Sequence, residues 1–190
     1  TIPLTAVTIL GTLISLLLAF RTAQAYDRWW EGRKIWGKIL SESRTLVREA
    51  QTFFKDPSKA RSLALRQAAW NYELGDTLRG KRHFSQLKDY ISKEEYAYVD
   101  QHMNTPNALL DMHGKQIREA FAAKEINEFQ QIHLMNTVSE ICDLMGMSER
   151  IKNTVFPKTY STLLQMSIYL FAVMVPFGLQ GFSFLTEATI

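Results

Sequence analysis

The chain has 190 residues, a length that suits one folded unit, and a mean hydropathy of −0.13 that by itself would suit a soluble protein. Its net charge of +3 is modest, and the single cysteine, Cys142, excludes a disulfide framework. The average hydropathy is misleading, because the apolar residues are concentrated at the two ends and almost all of the charge lies between them.

The first twenty residues carry no charge and predict a helix that crosses a membrane. An apolar run of about 20 residues is the length that a helix needs to span the hydrocarbon core. The run lacks the basic start and the small-residue cleavage site of a signal peptide. Apolar residues then recur at three- and four-residue intervals as far as Phe54, so we expect one helix over residues 4–54, ended by Asp56 and Pro57.

The charged part of the chain, residues 21–158, is interpreted as a helical body. Gly80 and Gly146 are placed to end helices, and Ser92 with Glu95 forms a capping-box pattern. The predicted helices of this body cover residues 57–78, residues 92–102, a segment that starts at 105, and residues 124–145. No segment alternates convincingly with period two, so the sequence predicts an all-α fold.

The second uncharged stretch, Thr159 to Thr186, predicts another membrane-spanning helix, over residues 163–185. Pro176 lies inside it, and a membrane bundle tolerates such a kink because neighbouring helices satisfy the freed carbonyl. The expected organisation is therefore one unit over 1–190: a span at 1–20, a cytoplasmic helical body at 21–158 and a span at 159–186. Because the chain starts at Thr1 rather than Met, we interpret it as an internal segment of a longer membrane protein.

Basic residues flank both apolar stretches on the side of the polar body. They are Arg21, Arg28, Arg33, Lys34, Lys38, Arg44 and Arg48 after the first stretch, and Arg150, Lys152 and Lys158 before the second. The positive-inside tendency places both flanks, and hence the body, in the cytoplasm. A basic helix could instead bind nucleic acid, but Asp27, Glu31, Glu42 and Glu49 interrupt this one, so no nucleic-acid partner is expected.

Patterns typical of catalysis are missing from the sequence. The histidines at positions 83, 102, 113 and 133 give neither a metalloprotease motif nor a helical di-metal carboxylate pattern, and no phosphate-binding loop is present. Cys142 is interpreted as a small buried hydrophobe rather than a nucleophile. We therefore expect no enzyme, no metal and no cofactor.

The most specific pattern follows the first apolar run, from Phe20 to Gly37, and reads F-R-x-x-x-x-Y-x-R-W-W-E-x-R-x-x-W-G. Tryptophans and arginines at the end of an apolar helix are typical of the point where it leaves the bilayer. The spacing resembles the bestrophin family of ion channels. Similar segments are Ser41 to Arg48, Ser148 to Ile151, Phe156 to Tyr160 and Tyr169 to Gly178, whereas residues 55–128 match loosely.

The resemblance implies a homopentamer in the plasma membrane that conducts small ions passively along its five-fold axis. Each bestrophin subunit has four membrane spans, so this chain would hold the second span, the cytoplasmic core and the third span. Apolar rings do not determine whether the channel passes cations or anions such as chloride. Two alternatives stay open: a membrane-tethered helical scaffold or signalling module without conduction, and, third, a membrane enzyme.

The resemblance also assigns the pore neck, which the family lines with three residues spaced four apart. Counting back eight positions from Arg28 gives Phe20, and then Leu16 and Thr12. Residues at i, i+4 and i+8 lie near one stripe of a helix. The alternative is that this stripe only packs or faces lipid. Thr12 replaces the usual aliphatic residue, which predicts a wetter outer ring.

The family has a second restriction in its soluble body, and the segment Ile126 to Phe129 resembles that region. Phe129 is therefore the candidate restriction, with a core phenylalanine as the alternative. The remaining signature residues are Arg21, Tyr26, Arg28, Trp29, Glu31 and Arg33. We interpret them as structural anchors and ion pairs rather than ion contacts, although Arg21 could bias permeation electrostatically.

Overall fold

A computed structural model describes residues 3–81 and 86–179, and every regular element in these ranges is a helix, which confirms the all-α prediction. The helices are α1 (Leu4–Phe53), α2 (Pro57–Leu78), α3 (Leu87–Tyr90), α4 (Lys93–Asp100), α5 (Thr105–Ala122), α6 (Glu128–Asn153) and α7 (Lys158–Leu179). The four-residue α3 is the one helix among them that the sequence pattern does not predict.

Local capping signals place several helix ends where the sequence predicts them. Asp56 is the N-cap of α2, and its carboxylate accepts the Ser58 N–H at 2.8 Å. Ser92 and Glu95 form the complete capping box of α4. Gly80 follows α2 with φ of 78°, a conformation that glycine adopts without strain.

The last helix of the body differs from the prediction at both ends. Lys124 has a positive φ of 56°, and the N–H of the next residue, Glu125, donates to the Ala120 carbonyl. Lys124 therefore terminates α5 instead of starting α6. The helix begins only at Glu128 and runs seven residues past Gly146, to Asn153. A glycine ends a helix when it takes the left-handed conformation, and Gly146 does not.

The second apolar helix, α7, begins at Lys158, five residues earlier than predicted, and it contains Pro176 as expected. The predicted end of this span, residues 180–185, lies outside the described residues.

The chain divides into two compact units, residues 32–153 and residues 1–31 with 154–190. Residues 32–153 form a bundle around one apolar core, whose largest fully buried side chains include Trp70, Ile39, Leu46, Leu109 and Ile141. Burial of such side chains is the main favourable contribution to the folding of this unit.

A buried polar network runs through the same bundle and joins α1, α2 and α5. Arg66 on α2 lies 3.2 Å from Nδ1 of His113, whose Nε2 lies 3.1 Å from the Gln67 side-chain oxygen. Gln67 in turn donates to the Ser43 hydroxyl at 2.9 Å. Because arginine only donates, Nδ1 of His113 must accept, and its proton therefore sits on Nε2. Glu95 on α4 forms an ion pair with Arg66, on the guanidinium edge away from His113.

The other unit consists of the first part of α1 and of α7, which pack antiparallel. A Cβ added at Gly11 would lie 3.1 Å from the Phe171 ring, and one added at Gly178 would lie 2.7 Å from Val7 Cγ2. Small residues at such contacts allow two membrane helices to approach closely. Val7, Ile14 and Leu164 are the buried side chains of this pairing among the described residues.

Candidate functional site

The rotation of α1 within the membrane unit is fixed by contacts along one side of the helix. Val7 and Gly11 contact α7, and Ile14 is buried. The Tyr160 hydroxyl donates to the Leu17 carbonyl at 2.7 Å. With about 100° per residue, these four positions fall within about 60° of the Ile14 direction. We call this side, defined by Val7, Gly11, Ile14 and Leu17, the contact face of α1.

The three predicted neck residues lie on the opposite side of α1. Leu16 and Phe20 point about 200° and 240° from Ile14, and Thr12 points about 160° from it. Leu16 and Phe20 are 54% and 57% exposed, so α7 leaves both uncovered. Ile9, which is 71% exposed, extends the same side one turn toward the N-terminus. We call this side the open face; it is apolar and has no partner within the described part of the unit.

Thr12 brings a hydroxyl to the open face, but this hydroxyl is already engaged. It donates to the Thr8 carbonyl of the preceding turn at 2.9 Å. Its proton is therefore used inside the helix, and Thr12 presents only its methyl group and a hydroxyl lone pair to the open face. Thr12 is thus less polar toward that face than a threonine with a free hydroxyl would be.

The signature residues near the end of the first span have different surroundings. Arg28 donates a hydrogen bond to the Thr154 carbonyl, in the connection that precedes α7. Tyr26 and Trp29 are exposed and lie ring against ring, with centroids 5.7 Å apart. Arg21 and Arg33 are exposed, and Glu31 is half-buried. Exposed tyrosine and tryptophan beside arginine suit the polar boundary of a bilayer.

Phe129 is 82% exposed on the first turn of α6, so the alternative of a core phenylalanine is wrong for this chain. The next turn is held in place by Glu49, a buried carboxylate of α1. Its oxygens lie 3.0 Å from Nδ1 of His133 and accept the Thr137 hydroxyl at 2.9 Å. Phe129 is therefore an exposed aromatic side chain on a firmly anchored helix.

Two titratable groups of the body, His113 and Cys142, have surroundings that suit a structural role. Burial, followed by the neighbouring Arg66 charge, holds the pKa of His113 well below its ordinary value, so the ring stays neutral. Burial, followed by nearby carboxylates, raises the pKa of the Cys142 thiol, which disfavours a nucleophilic thiolate. Among residues 3–81 and 86–179, no group of three metal-binding side chains comes together; His83 lies outside these ranges.

Two helices of the described chain are long and apolar enough to cross a membrane. Only 11% and 6% of their most apolar windows are buried. A core helix of a soluble protein would hide such a surface, because contiguous exposed apolar area is costly in water.

Comparison with known proteins agrees with the resemblance in the sequence. Residues 1–186 match the sequence model of a family described as "Bacterial/Fungal Bestrophin protein". The chain is 31% identical over 171 residues to the voltage-dependent anion channel-forming protein YneE of Escherichia coli K12. It is also 31% identical over 180 residues to the similarly named alr2987 of Nostoc.

These matches cover 90% and 92% of this chain but 56% and 59% of the relatives. The chain therefore spans a little over half the length of the curated relatives that it matches. A solved bacterial bestrophin homolog from Klebsiella pneumoniae has a TM-score of 0.90 and 26% identity. That alignment covers 96% of this chain and 68% of the solved one.

Proposed function

The chain belongs to the bestrophin family, and we propose that the whole protein is a pentameric channel that conducts small ions passively across a membrane. Its curated relatives are named anion channel-forming proteins, so chloride is the first ion to test. Passive conduction needs neither a catalytic residue nor a cofactor. Self-association, lipid and the permeating ion are the partners that this function requires.

The open face of α1 is the single observation that carries the proposal. The bestrophin pattern selects Thr12, Leu16 and Phe20 by counting from Arg28, and this count does not depend on which side of the helix is covered. The contacts with α7 independently leave that side exposed. A helix face that is apolar, exposed and opposite to its only described helix neighbour is available to line an axis shared by several copies.

Such a lining provides a neck by a simple physical mechanism. Five copies of Leu16 and of Phe20 would form two stacked apolar rings about 6 Å apart along the helix axis. Narrow apolar rings obstruct ions because water leaves them easily and an ion cannot replace its hydration shell. Thr12, whose hydroxyl proton is used inside the helix, would form the outer ring.

Phe129 is the proposed second restriction. Its exposure of 82% leaves the ring available to line a passage or to meet another subunit. The contacts of Glu49 with His133 and Thr137 hold the helix that carries it. A restriction requires a side chain whose position is fixed, and this anchoring supplies it.

We further propose that the body, residues 21–158, lies in the cytoplasm between spans at 1–20 and 159–186. The basic residues beside both spans support this orientation in the plasma membrane. Lys88 is exposed on α3, so Lys88→Cys gives a single reporter thiol once Cys142 and every cysteine elsewhere in the full-length protein are replaced by alanine. An impermeant thiol reagent should label it in inside-out vesicles but not in intact cells; labelling in intact cells would reverse the orientation.

The decisive experiment is ion flux through the full-length protein reconstituted in planar bilayers. Leu16→Ala and Phe20→Ala should each raise single-channel conductance or change ion selectivity, because they widen an easily dewetted constriction. Leu18→Ala is the matched control: Leu18 is 42% exposed but lies about 160° around the helix from Leu16. Its removal should leave permeation unchanged.

The outcomes separate the proposal from its rivals. A protein that assembles but carries no current is a scaffold or an enzyme, and the channel proposal fails. If Leu18→Ala changes permeation while Leu16→Ala and Phe20→Ala do not, the protein is a channel but the neck assignment is wrong. Native mass spectrometry that finds only monomers or dimers would contradict the pentamer.

A further inference from the structure

Asp27 lies on the same side of α1 as the neck residues. It follows Phe20 by seven residues, which is about two turns or 10 Å along the helix axis. It points about 220° from Ile14, close to the direction of Leu16 and Phe20. The side chain is exposed, and within residues 3–81 and 86–179 its carboxylate forms no hydrogen bond or ion pair.

The two arginines beside it lie on the other side of the helix. Arg21 and Arg28 both fall within about 40° of the Ile14 direction, on the contact face. The hydrogen bond from Arg28 to the Thr154 carbonyl agrees with this rotation, because Thr154 precedes α7. Since the contacts at Val7, Leu17 and Arg28 share one side, the same rotation holds from the start of α1 to Arg28.

Charge is therefore segregated around this part of α1: cations lie on the contact face, and the Asp27 carboxylate lies on the open face. If α1 lines the axis, the first formal charge on its open face beyond the Phe20 ring is negative, because Arg21 lies on the contact face. Five carboxylates at about one Debye length from the neck raise the local cation concentration and lower that of anions.

We propose that Asp27 is a selectivity-determining residue that shifts permeation toward cations. This inference rests on the proposed channel function and deepens it. The residue does not need to touch the neck, because a ring of like charges at the mouth of a constriction acts through its potential. It opposes any preference for anions that other parts of the pore confer.

The test is the reversal potential of the full-length channel in planar bilayers under a tenfold KCl gradient. Asp27→Asn should lower the cation-to-anion permeability ratio by about three- to tenfold at low salt, and the effect should shrink at 1 M salt through screening. Asp27→Glu keeps the charge and should keep the ratio. Asp89→Asn removes an exposed carboxylate from α3, outside the membrane unit, and should change nothing.

A second variant guards against a failure of Asp27→Asn to assemble. Asp27→Cys, in a full-length background in which Cys142 and every other cysteine are replaced by alanine, can be modified after reconstitution by thiol reagents of either charge. A negative adduct should restore the wild-type ratio, and a positive adduct should favour anions. An unchanged reversal potential in Asp27→Asn, or equal effects of both adducts, would overturn the role of Asp27. The channel proposal would survive either result and fails only if the wild type carries no current.

Discussion

A methyl group added at Gly178 would lie 2.7 Å from Val7 Cγ2 and 3.6 Å from Val7 Cβ. Carbon atoms in favourable contact are about 3.5–4.0 Å apart, so the two helices must separate locally by about 1 Å. Val7 is buried and β-branched, and such side chains have one strongly preferred rotamer in a helix, so it cannot turn away. Overpacking of this kind costs about 1–3 kcal/mol.

Gly146→Ala is the control, because its added methyl group meets nothing within 4 Å in the interior of α6. It gains the helix propensity of alanine, about 1 kcal/mol, without any clash. Gly178 is the next-to-last residue of α7, so Gly178→Ala gains at most as much, and the difference in stability between the two variants reports mainly the clash. We expect Gly178→Ala to be less stable than Gly146→Ala by about 1–3 kcal/mol.

The assay is the apparent melting temperature of the full-length protein in detergent, followed by the loss of its assembled peak in size-exclusion chromatography. Val7→Ala removes the methyl group that clashes, so it should cost less stability in the Gly178→Ala background than in the wild type. A coupling of about 1 kcal/mol or more is expected for such neighbours. Equal melting of Gly178→Ala and Gly146→Ala, or purely additive effects of Val7→Ala, would refute the packing of α1 against α7.

Three further outcomes are expected in the same melting assay. Tyr160→Phe removes the donor to the Leu17 carbonyl and should cost about 1 kcal/mol, whereas Tyr169→Phe, at a 68% exposed position, should cost nothing. Burial depresses the pKa of His113 in the folded chain, so on acidification the unfolded chain takes up a proton first. The stability that the neutral His113 contributes is complete above pH 6.5 and falls below that pH by up to about 1.4 kcal/mol per pH unit. His113→Gln should weaken this pH dependence. Lys124→Gly should stabilise the folded protein by up to about 1 kcal/mol, because glycine adopts the positive φ of 56° without strain. An unchanged melting temperature would mean that Lys124 is not strained in this conformation.

Helix ends that depend on neighbouring residues alone were predictable from the sequence. Asp56, Ser92 and Gly80 act through hydrogen bonds or a backbone conformation within a few residues of themselves. Gly146 carries the same local signal, yet α6 continues through it. Packing beyond it decides the end, since Ser148 is buried and Ile151 lies against the core.

The buried polar network was not predictable, because its members are far apart in the sequence. Arg66 and His113 are separated by 47 positions, and Gln67 and Ser43 by 24. Each looks like an ordinary polar residue of an amphipathic helix. Only the packing of α1, α2 and α5 brings them together, and burial then requires that each donor find an acceptor.

The candidate neck was predictable as a spacing but not as a direction. Residues four apart share a stripe of any helix, so Thr12, Leu16 and Phe20 could equally have packed against α7. The sequence pattern does not specify how α1 is rotated about its own axis. That rotation follows from contacts between distant segments, such as Gly11 with Phe171.

Polar anchors on both sides of Phe20 give a physical role to two residues of the bestrophin-like segments, Tyr160 and Arg28. The Leu17 carbonyl accepts from Tyr160 before it, and Arg28 donates to the Thr154 carbonyl after it. A slip of one residue would rotate the helix by about 100° and would break both bonds. It would also turn Leu17 toward the open face in place of Leu16. Since apolar packing alone tolerates such a slip more readily than directed hydrogen bonds do, the side chains of Tyr160 and Arg28 fix which face of α1 stays open.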